Sequence, residues 1–391
     1  MDSLTHVLLS ATTAQLGFRQ RIGRDAAWVA AAAGILPDLD IVVTPFLTLS
    51  GVEVDDLSTL AVHRGLSHSL LFAPLLAAPA ALMWWWFRRK IDGRKADAAP
   101  GQRPASFLLL YCCVLAALAT HPLLDWCTSY GTELLAPLTR TRYAIDCVPI
   151  VDIIYPSLLV LTLLACYLTR KLARPALLPA CLPEAGRPAS RGKAARATLV
   201  VAWVGFGLSV SYLATGRLMH DRAASLARAA VGADAGKVIR ADAYPSMGTI
   251  FLWRAVIETD SQWLVARVHV FGDKRPGSTG LAAIGRMRLE TAAKQDSPWI
   301  DKASELHQVK TYRWFAGGRV RAECEQANGK WVVTFHDMRY GWPQESIRSM
   351  WPLEVVFSAD GKLLDVTRRR AERRGRLEEL IPAMWHDIWN P

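Results

Sequence analysis

The sequence predicts a mainly α, multi-span helical membrane domain over residues 1–215, followed by a β-rich soluble domain over 216–391. Three observations carry that prediction. Hydrophobic residues make up 51% of the 391-residue chain, and the mean hydropathy is positive, at +0.15, which is unusual for a soluble protein. The apolar residues are concentrated before about residue 215, in runs separated by short basic loops, the positive-inside pattern of membrane proteins. Beyond that point the runs shorten and alternate, with turn signals between them. The formal net charge of +11 therefore reads as loop charge, and nucleic acid is not an expected partner.

Six apolar stretches are expected to span. Leu4–Gly17 is a short first one; Asp2 stands where a signal peptide would carry basic residues, and no small-residue cleavage site follows. The basic Arg19–Arg24 loop leads to a second stretch, Ala26–Leu49, which Pro37 interrupts. An acidic loop, 52–56, precedes the third, about Leu66–Phe87, where Trp84-Trp85-Trp86 followed by Arg88-Arg89-Lys90 marks an aqueous boundary. A polar loop with Arg94, Lys95 and Arg103 follows. Phe107–Trp126, Val148–Leu168 and Thr198–Ala214 complete the set, with a second basic loop, 170–196, before the last. The positive-inside rule then places the basic loops in the cytoplasm. The N-terminus, the loop before His63, the loop 127–147 and everything after 215 face outward.

After residue 215, Arg217–Ala230 predicts an amphipathic helix. Strands are expected at Thr249–Glu258, Gln262–Phe271, Val309–Phe315, Arg319–Glu325, Trp331–Phe335 and Leu353–Phe357, with turns at Asn328-Gly329 and Asp360-Gly361. Seven cysteines form no CxxC pair and no zinc-finger spacing. Cys112, Cys113 and Cys166 read as core packing, whereas Cys127 and Cys147 flank one loop and could pair if it is extracytoplasmic.

Four motifs carry chemistry. His63-Arg64-Gly65-Leu66-Ser67-His68 stands at the mouth of an apolar run, where imidazole and guanidinium are costly to place. A helix beginning near Ser67 would offer its N–H groups to an anion, with Arg64 as a fork to the same oxygens. Asp38 and Asp40 follow Pro37 in a run otherwise of Ala, Ile, Leu and Val; unpaired carboxylates there need a cation or basic partners. A metal ion is the economical answer, and a proton or sodium path is the alternative. His121 and Asp125 sit at i and i+4, so both project from one helix face. His6 gains meaning only from this company.

On the outward-facing topology, His6, His63, His68, His121 and Asp125 converge on one leaflet. Asp38, about 18 Å along a continuous second helix, reaches them only if Pro37 ends that helix. The candidate metal ligands are therefore His6, Asp38, His63, His68, His121 and Asp125. Nitrogen and carboxylate donors without cysteine suit Zn²⁺, with Mn²⁺ or Fe²⁺ as alternatives, and more than four of them point to two or more ions or to outer carboxylates. Asp40 is the candidate general base and Arg64 the catalytic anion contact. Thr128 and Tyr130 form a candidate substrate rim, on a loop that also carries Arg142; Ser129 and Glu133 read as helix-capping, solvated residues. No G-x-S-x-G elbow supports a serine nucleophile.

These motifs resemble the bacterial inner-membrane metal-dependent hydrolase family typified by YdjM and YbcI. The resemblance rests on Met1-Asp2-Ser3-Leu4-Thr5-His6, Pro37-Asp38-Leu39-Asp40, His63 to Ser69, His121-Pro122-Leu123-Leu124-Asp125 and Tyr130-Gly131-Thr132, and covers residues 1–170. Phe251-Leu252-Trp253-Arg254 and Asp337-Met338-Arg339-Tyr340-Gly341 resemble the longer members more loosely. More distantly, the His/Asp pattern is similar to the zinc phospholipase C and P1 nuclease group, although that group's later His…Glu pair has no counterpart here. The resemblance implies a membrane-bound metal-dependent hydrolase, with His6, Asp38, His68, His121 and Asp125 as ligands. The nearby bilayer and Arg64 point to a phosphoester of a lipid or envelope component as substrate, and the positive-inside topology puts the site on the outer side of the inner membrane. A transporter or ion-coupled scaffold is the alternative.

Overall fold

Asp2 opens the first helix: its carboxylate accepts from the Thr5 N–H at 3.0 Å and the Thr5 hydroxyl at 2.6 Å, capping α1 (Ser3–Gln15). In the computed structural model, residues 1–50, 57–93, 106–172, 188–231, 235–271, 289–341 and 346–369 are described. The expected acidic loop at 52–56, and Arg94, Lys95 and Arg103, lie outside them. The described chain forms two compact units, Met1–Asp40 with Arg64–Ala144 and Ile150–Ala214, and Ile41–His63 with Ile145–Pro149 and Thr215–Pro391.

Glycines at 17 and 23, both at positive φ, break the chain between α1, α2 (Phe18–Ile22) and α3 (Asp25–Ala33). The expected second span is therefore three pieces: α3, a 3₁₀ segment at Leu36–Val42 and α4 (Val43–Leu49). Helix α5 (Ser58–Val62) and a 3₁₀ turn at Leu66–His68 precede α6 (Ala73–Gly93), so no helix starts at Ser67. Helices α7 (Phe107–Trp126), α8 (Ile154–Leu172) and α9 (Pro188–Ala229) follow. Among the described residues, only α7 and the 192–229 part of α9 are long and apolar enough to cross a membrane, or three segments if the bent pair Thr59–His68 and Ala73–Lys90 counts as one. The first run, at 13 residues, reaches only about 20 Å of the ~30 Å hydrocarbon layer.

Within the first unit α1 packs on α3, α7 and α8, and α6 on α7. The shared core is rich in alanine, with Ala30, Ala33, Ala77 and Ala117 beside Val114 and Leu118. Small side chains let the backbones approach closely. Helix α9 corrects another expectation: the last span and the amphipathic helix are one continuous element. Gly216 does not break it, because a Cβ there would lie 2.0 Å from the Cys147 carbonyl oxygen, and glycine accommodates that close approach.

The second unit holds two four-stranded antiparallel sheets in simple sequential order. The first is β1 (Val238–Pro245), β2 (Leu252–Thr259), β3 (Gln262–His269) and β4 (Leu289–Ala293). Helices α10 (Pro298–Ser304) and α11 (His307–Phe315) lead to the second, β5 (Val320–Ala327), β6 (Lys330–Asp337), β7 (Leu353–Ser358) and β8 (Leu363–Arg368). Asn328-Gly329, both at positive φ, join β5 to β6 as the turn signal predicts. Val309–Phe315, expected as a strand, is the body of α11. Its β-branched and aromatic content misleads, whereas its buried residues Val309, Tyr312 and Phe315 recur every third position. Strands β1, β4 and β8 were not foreseen. Arg254 of β2 donates to the Met338 carbonyl at 2.9 Å, so the two tail motifs meet. Cys127 and Cys147 are not joined by a disulfide.

Candidate metal centre

Two imidazoles, each oriented by an acceptor behind it, define the site. His121, on α7, has its Nδ1 2.7 Å from the Gly34 carbonyl. A carbonyl only accepts, so Nδ1 carries a proton, and in the neutral ring Nε2 presents a lone pair. His68, in the 3₁₀ turn, has its Nδ1 3.2 Å from Asp40 Oδ2, which also accepts from Ser67 Oγ at 2.7 Å. Its Nε2 is likewise left as a lone pair. The two Nε2 atoms face each other at 3.1 Å.

Two carboxylate oxygens close on the same point. Asp38 Oδ1 lies 3.4 Å from His68 Nε2 and 3.3 Å from His121 Nε2. Asp125 Oδ2 lies 3.5 Å from each. A tetrahedral Zn²⁺ with bonds of about 2.0–2.1 Å spaces its donors about 3.3–3.4 Å apart. The five distances fit such an ion. A proton can bridge one pair of these atoms; a central cation meets all four. Asp38 with His68 and His121 forms one set of side chains close enough to share an ion, and His6 with His121 and Asp125 forms another.

The outer contacts explain how a sequence this apolar holds four such groups. The 3₁₀ segment after Pro37 turns Asp38 and Asp40 to opposite nitrogens of His68. This resolves the depth of Asp38, because α3 ends at Ala33, before Pro37. Ser3 donates to Asp38 Oδ2 at 2.6 Å. Asp125 Oδ1 receives the Met1 amine, the Arg64 guanidinium at 3.0 Å and His6 Nε2 at 3.2 Å. His6 itself stacks on His121, with centroids 3.6 Å apart and planes 13° apart.

Arg64 adopts a left-handed φ of +61°, a strained conformation for a side chain with Cβ. Its backbone N–H donates to Asp40, its carbonyl accepts from Glu133 N–H, and its Nη1 donates to Thr128 Oγ1 at 2.8 Å. Its guanidinium stands 4.6 Å over the Tyr130 ring. Thr128 and Tyr130 thus join the cluster through Arg64. His63, half-buried, follows α5 and closes the Ile41–His63 segment of the second unit.

Ser67 gives no helix N-terminus for an anion; its hydroxyl serves Asp40 instead. Ser129 and Glu133, expected to be solvated, are 4% and 3% exposed. Burial raises the Glu133 carboxyl above the usual carboxylate range. Sequence reasoning missed the Gly34 carbonyl and Ser3. Ser3 lies in a quoted motif, whereas nothing in the sequence marks a backbone carbonyl.

The sequence profile of the YdjM inner membrane protein family matches residues 1–218, more than half of the chain and every residue of the cluster. The chain belongs to the YdjM family. No curated protein and no solved structure matches it. The YdjM assignment makes this an inner membrane protein by family, and the two long apolar helices agree with that.

Proposed function

We propose that this YdjM-family protein is a membrane-bound metal-dependent hydrolase acting on a phosphoester of a lipid or envelope substrate. The observation that carries the reading is the convergence of two lone-pair nitrogens and two carboxylate oxygens on one buried point. His68, His121, Asp38 and Asp125 would hold Zn²⁺, with Mn²⁺ or Fe²⁺ as alternatives. The bound ion would supply Lewis acidity and lower the pKa of a water. With four protein donors, a water would have to enter as an added ligand, as some catalytic zinc sites allow. Asp38 is the donor residue whose side chain is 11% exposed, against 0–1% for the others, so substrate approaches from its side.

One ion fits this set better than two, because Arg64 and His6 take the remaining oxygen of Asp125. Arg64 binds the substrate oxyanion. Asp40, considered above as a general base, is here a positioning residue that fixes the His68 ring. Tyr130 and Thr128 hold Arg64 and form the rim. On the positive-inside pattern the protein is multi-pass, with the site and the β-rich domain on the extracytoplasmic side.

The test is metal analysis of the purified protein, followed by a phosphoester panel that includes lipids. We expect about one transition-metal ion per chain, lost in a His68→Ala/His121→Ala double variant together with hydrolysis. Unchanged metal content in that variant refutes the site.

A further inference from the structure

The end of the first unit away from the metal centre is cationic. Helix α1 passes the centre at His6, and its last residue, Gln15, lies about 14 Å further along the axis. There Gln15 Oε1 accepts from Arg170 Nη2, in the last turn of α8, at 2.7 Å. Arg19, on α2, follows four residues after Gln15 and interacts electrostatically with both Arg24 and Arg170. Arg19 and Arg170 also both act on Cys166, which fixes the two guanidiniums at one place. Helix α6 ends on the same side. Its Trp84 and Trp85 pack on the alanine-rich core that also takes Phe18 and Ile22 of α2. Beyond them Arg89 stands 3.9 Å over the Trp85 ring, and Lys90 3.7 Å over that of Trp86. Tryptophans backed by cations mark the headgroup level of a bilayer.

The charge here is not balanced from within. Arg19 and Arg170 are each half-buried, and among the described residues no carboxylate acts on either. Asp25, which opens α3, is engaged by Arg88 at 2.6 Å. The C-terminal end of α8 offers Arg170 the equivalent of about half a negative charge, which helps to hold one cation and leaves the second unmet. Gln15 supplies an acceptor and no charge. Half-buried guanidiniums at headgroup depth therefore call for an anion from outside the chain, and the anion present at that depth is a lipid phosphate.

We infer that Arg19 and Arg170 form a binding site for the phosphate of an anionic phospholipid, at the end of the helical unit opposite the metal centre. Gln15 holds Arg170 in place, and the two guanidiniums grip the phosphate oxygens with charge-assisted hydrogen bonds. Trp85 and Trp86, with the cations stacked on them, set the depth. The site is separate from the hydrolase reading and does not depend on it.

The test uses the full-length protein in detergent, titrated with phosphatidylglycerol and with phosphatidylcholine of the same chains, bound lipid being counted by native mass spectrometry. We expect phosphatidylglycerol to bind at least about tenfold more tightly. An Arg19→Gln/Arg170→Gln double variant should lose that preference, and Arg19→Lys/Arg170→Lys should keep most of it. Arg21→Gln, which removes an exposed cation of the same short helix, should change it less than about twofold. Thermal unfolding checks that the variants are folded; Arg19→Gln alone, which spares the Gln15 bond, carries the test if the double variant is not. Equal binding of the two lipids, a preference that survives the glutamine substitutions, or one lost equally in Arg21→Gln overturns the inference. So does displacement of phosphatidylglycerol by equimolar inorganic phosphate, which would make this a site for a free anion.

Discussion

Replacing Gly34 by alanine should loosen the helix packing and the metal centre together. Gly34 caps α3 where it crosses α1, and an added Cβ would lie 2.4 Å from Ser10 Oγ, 2.9 Å from Ser10 Cβ and 3.0 Å from the His6 carbonyl. Ordinary contact needs 3.4 Å or more, so α1 and α3 must part by about 1 Å. Overpacking of this size costs about 1–3 kcal/mol. The carbonyl that moves is the one fixing His121 Nδ1, and loss of such an outer contact weakens metal binding about 10–100-fold. Ser10→Gly removes two of the three clashes, so it should recover much of both losses in the Gly34→Ala background. Thermal unfolding in detergent and chelator competition measure the two quantities across the four proteins. A Gly34→Ala protein within about 0.5 kcal/mol of wild type, with unchanged metal affinity, would refute the packing argument. So would a double variant showing no coupling.

Asp40→Ala should weaken metal binding about 10–100-fold without removing a ligand, measured by the same competition; unchanged affinity would show that His68 needs no partner on Nδ1. The β-rich unit should lose stability in acid. Burial, opposed by Glu323, holds the His336 pKa below its ordinary value, so the unfolded chain takes up that proton first and stability declines as pH falls below about 6.5. The hydrogen bond from His336, with Arg321 beside it, lowers Glu323 to about 2; its stabilisation is complete above about 4.5 and disappears as pH falls through about 2. Tryptophan-fluorescence melts from pH 7 to pH 3 should show a falling midpoint, flattened at the acid end by Glu323→Gln; a midpoint that rises in acid contradicts both signs.

The site was more legible in the sequence than the fold around it. A carboxylate in an apolar run must find a cation in any fold, so Asp38, His68, His121 and Asp125 identified themselves by cost. Span number has no such anchor. Apolar content fixes which residues avoid water but not where a helix ends, and Gly17, Gly23, Gly34 and Pro37 cut the first two runs into pieces too short to cross. The opposite holds in α9, where a last span ending at Ala214 and an amphipathic helix from Arg217 are expected apart and form one continuous helix, with Gly216 a packing contact inside it.

The carrier alternative turns on α1. Thr5, Ser10, Thr12, Thr13 and Gln15 are all buried on this helix, a polar line leading away from His6 that an ion or proton path would use. A relay needs hydrogen-bonding capacity that is not already committed. Thr12, Thr13 and Gln15 donate to carbonyls four residues back on their own helix, at 2.8, 2.9 and 3.2 Å. Ser10 reaches the Ala117 carbonyl, and Gln15 Oε1 accepts from Arg170 at 2.7 Å. These side chains are spent on holding helices, as such hydroxyls commonly are in apolar surroundings. At the other end, the Nε2 atoms of His68 and His121 and one oxygen each of Asp38 and Asp125 converge, a geometry that suits a bound cation. The polar residues therefore serve one centre and its support, an arrangement that favours the proposed hydrolase over a carrier. Ion flux in proteoliposomes without hydrolysis of any phosphoester would reverse that preference.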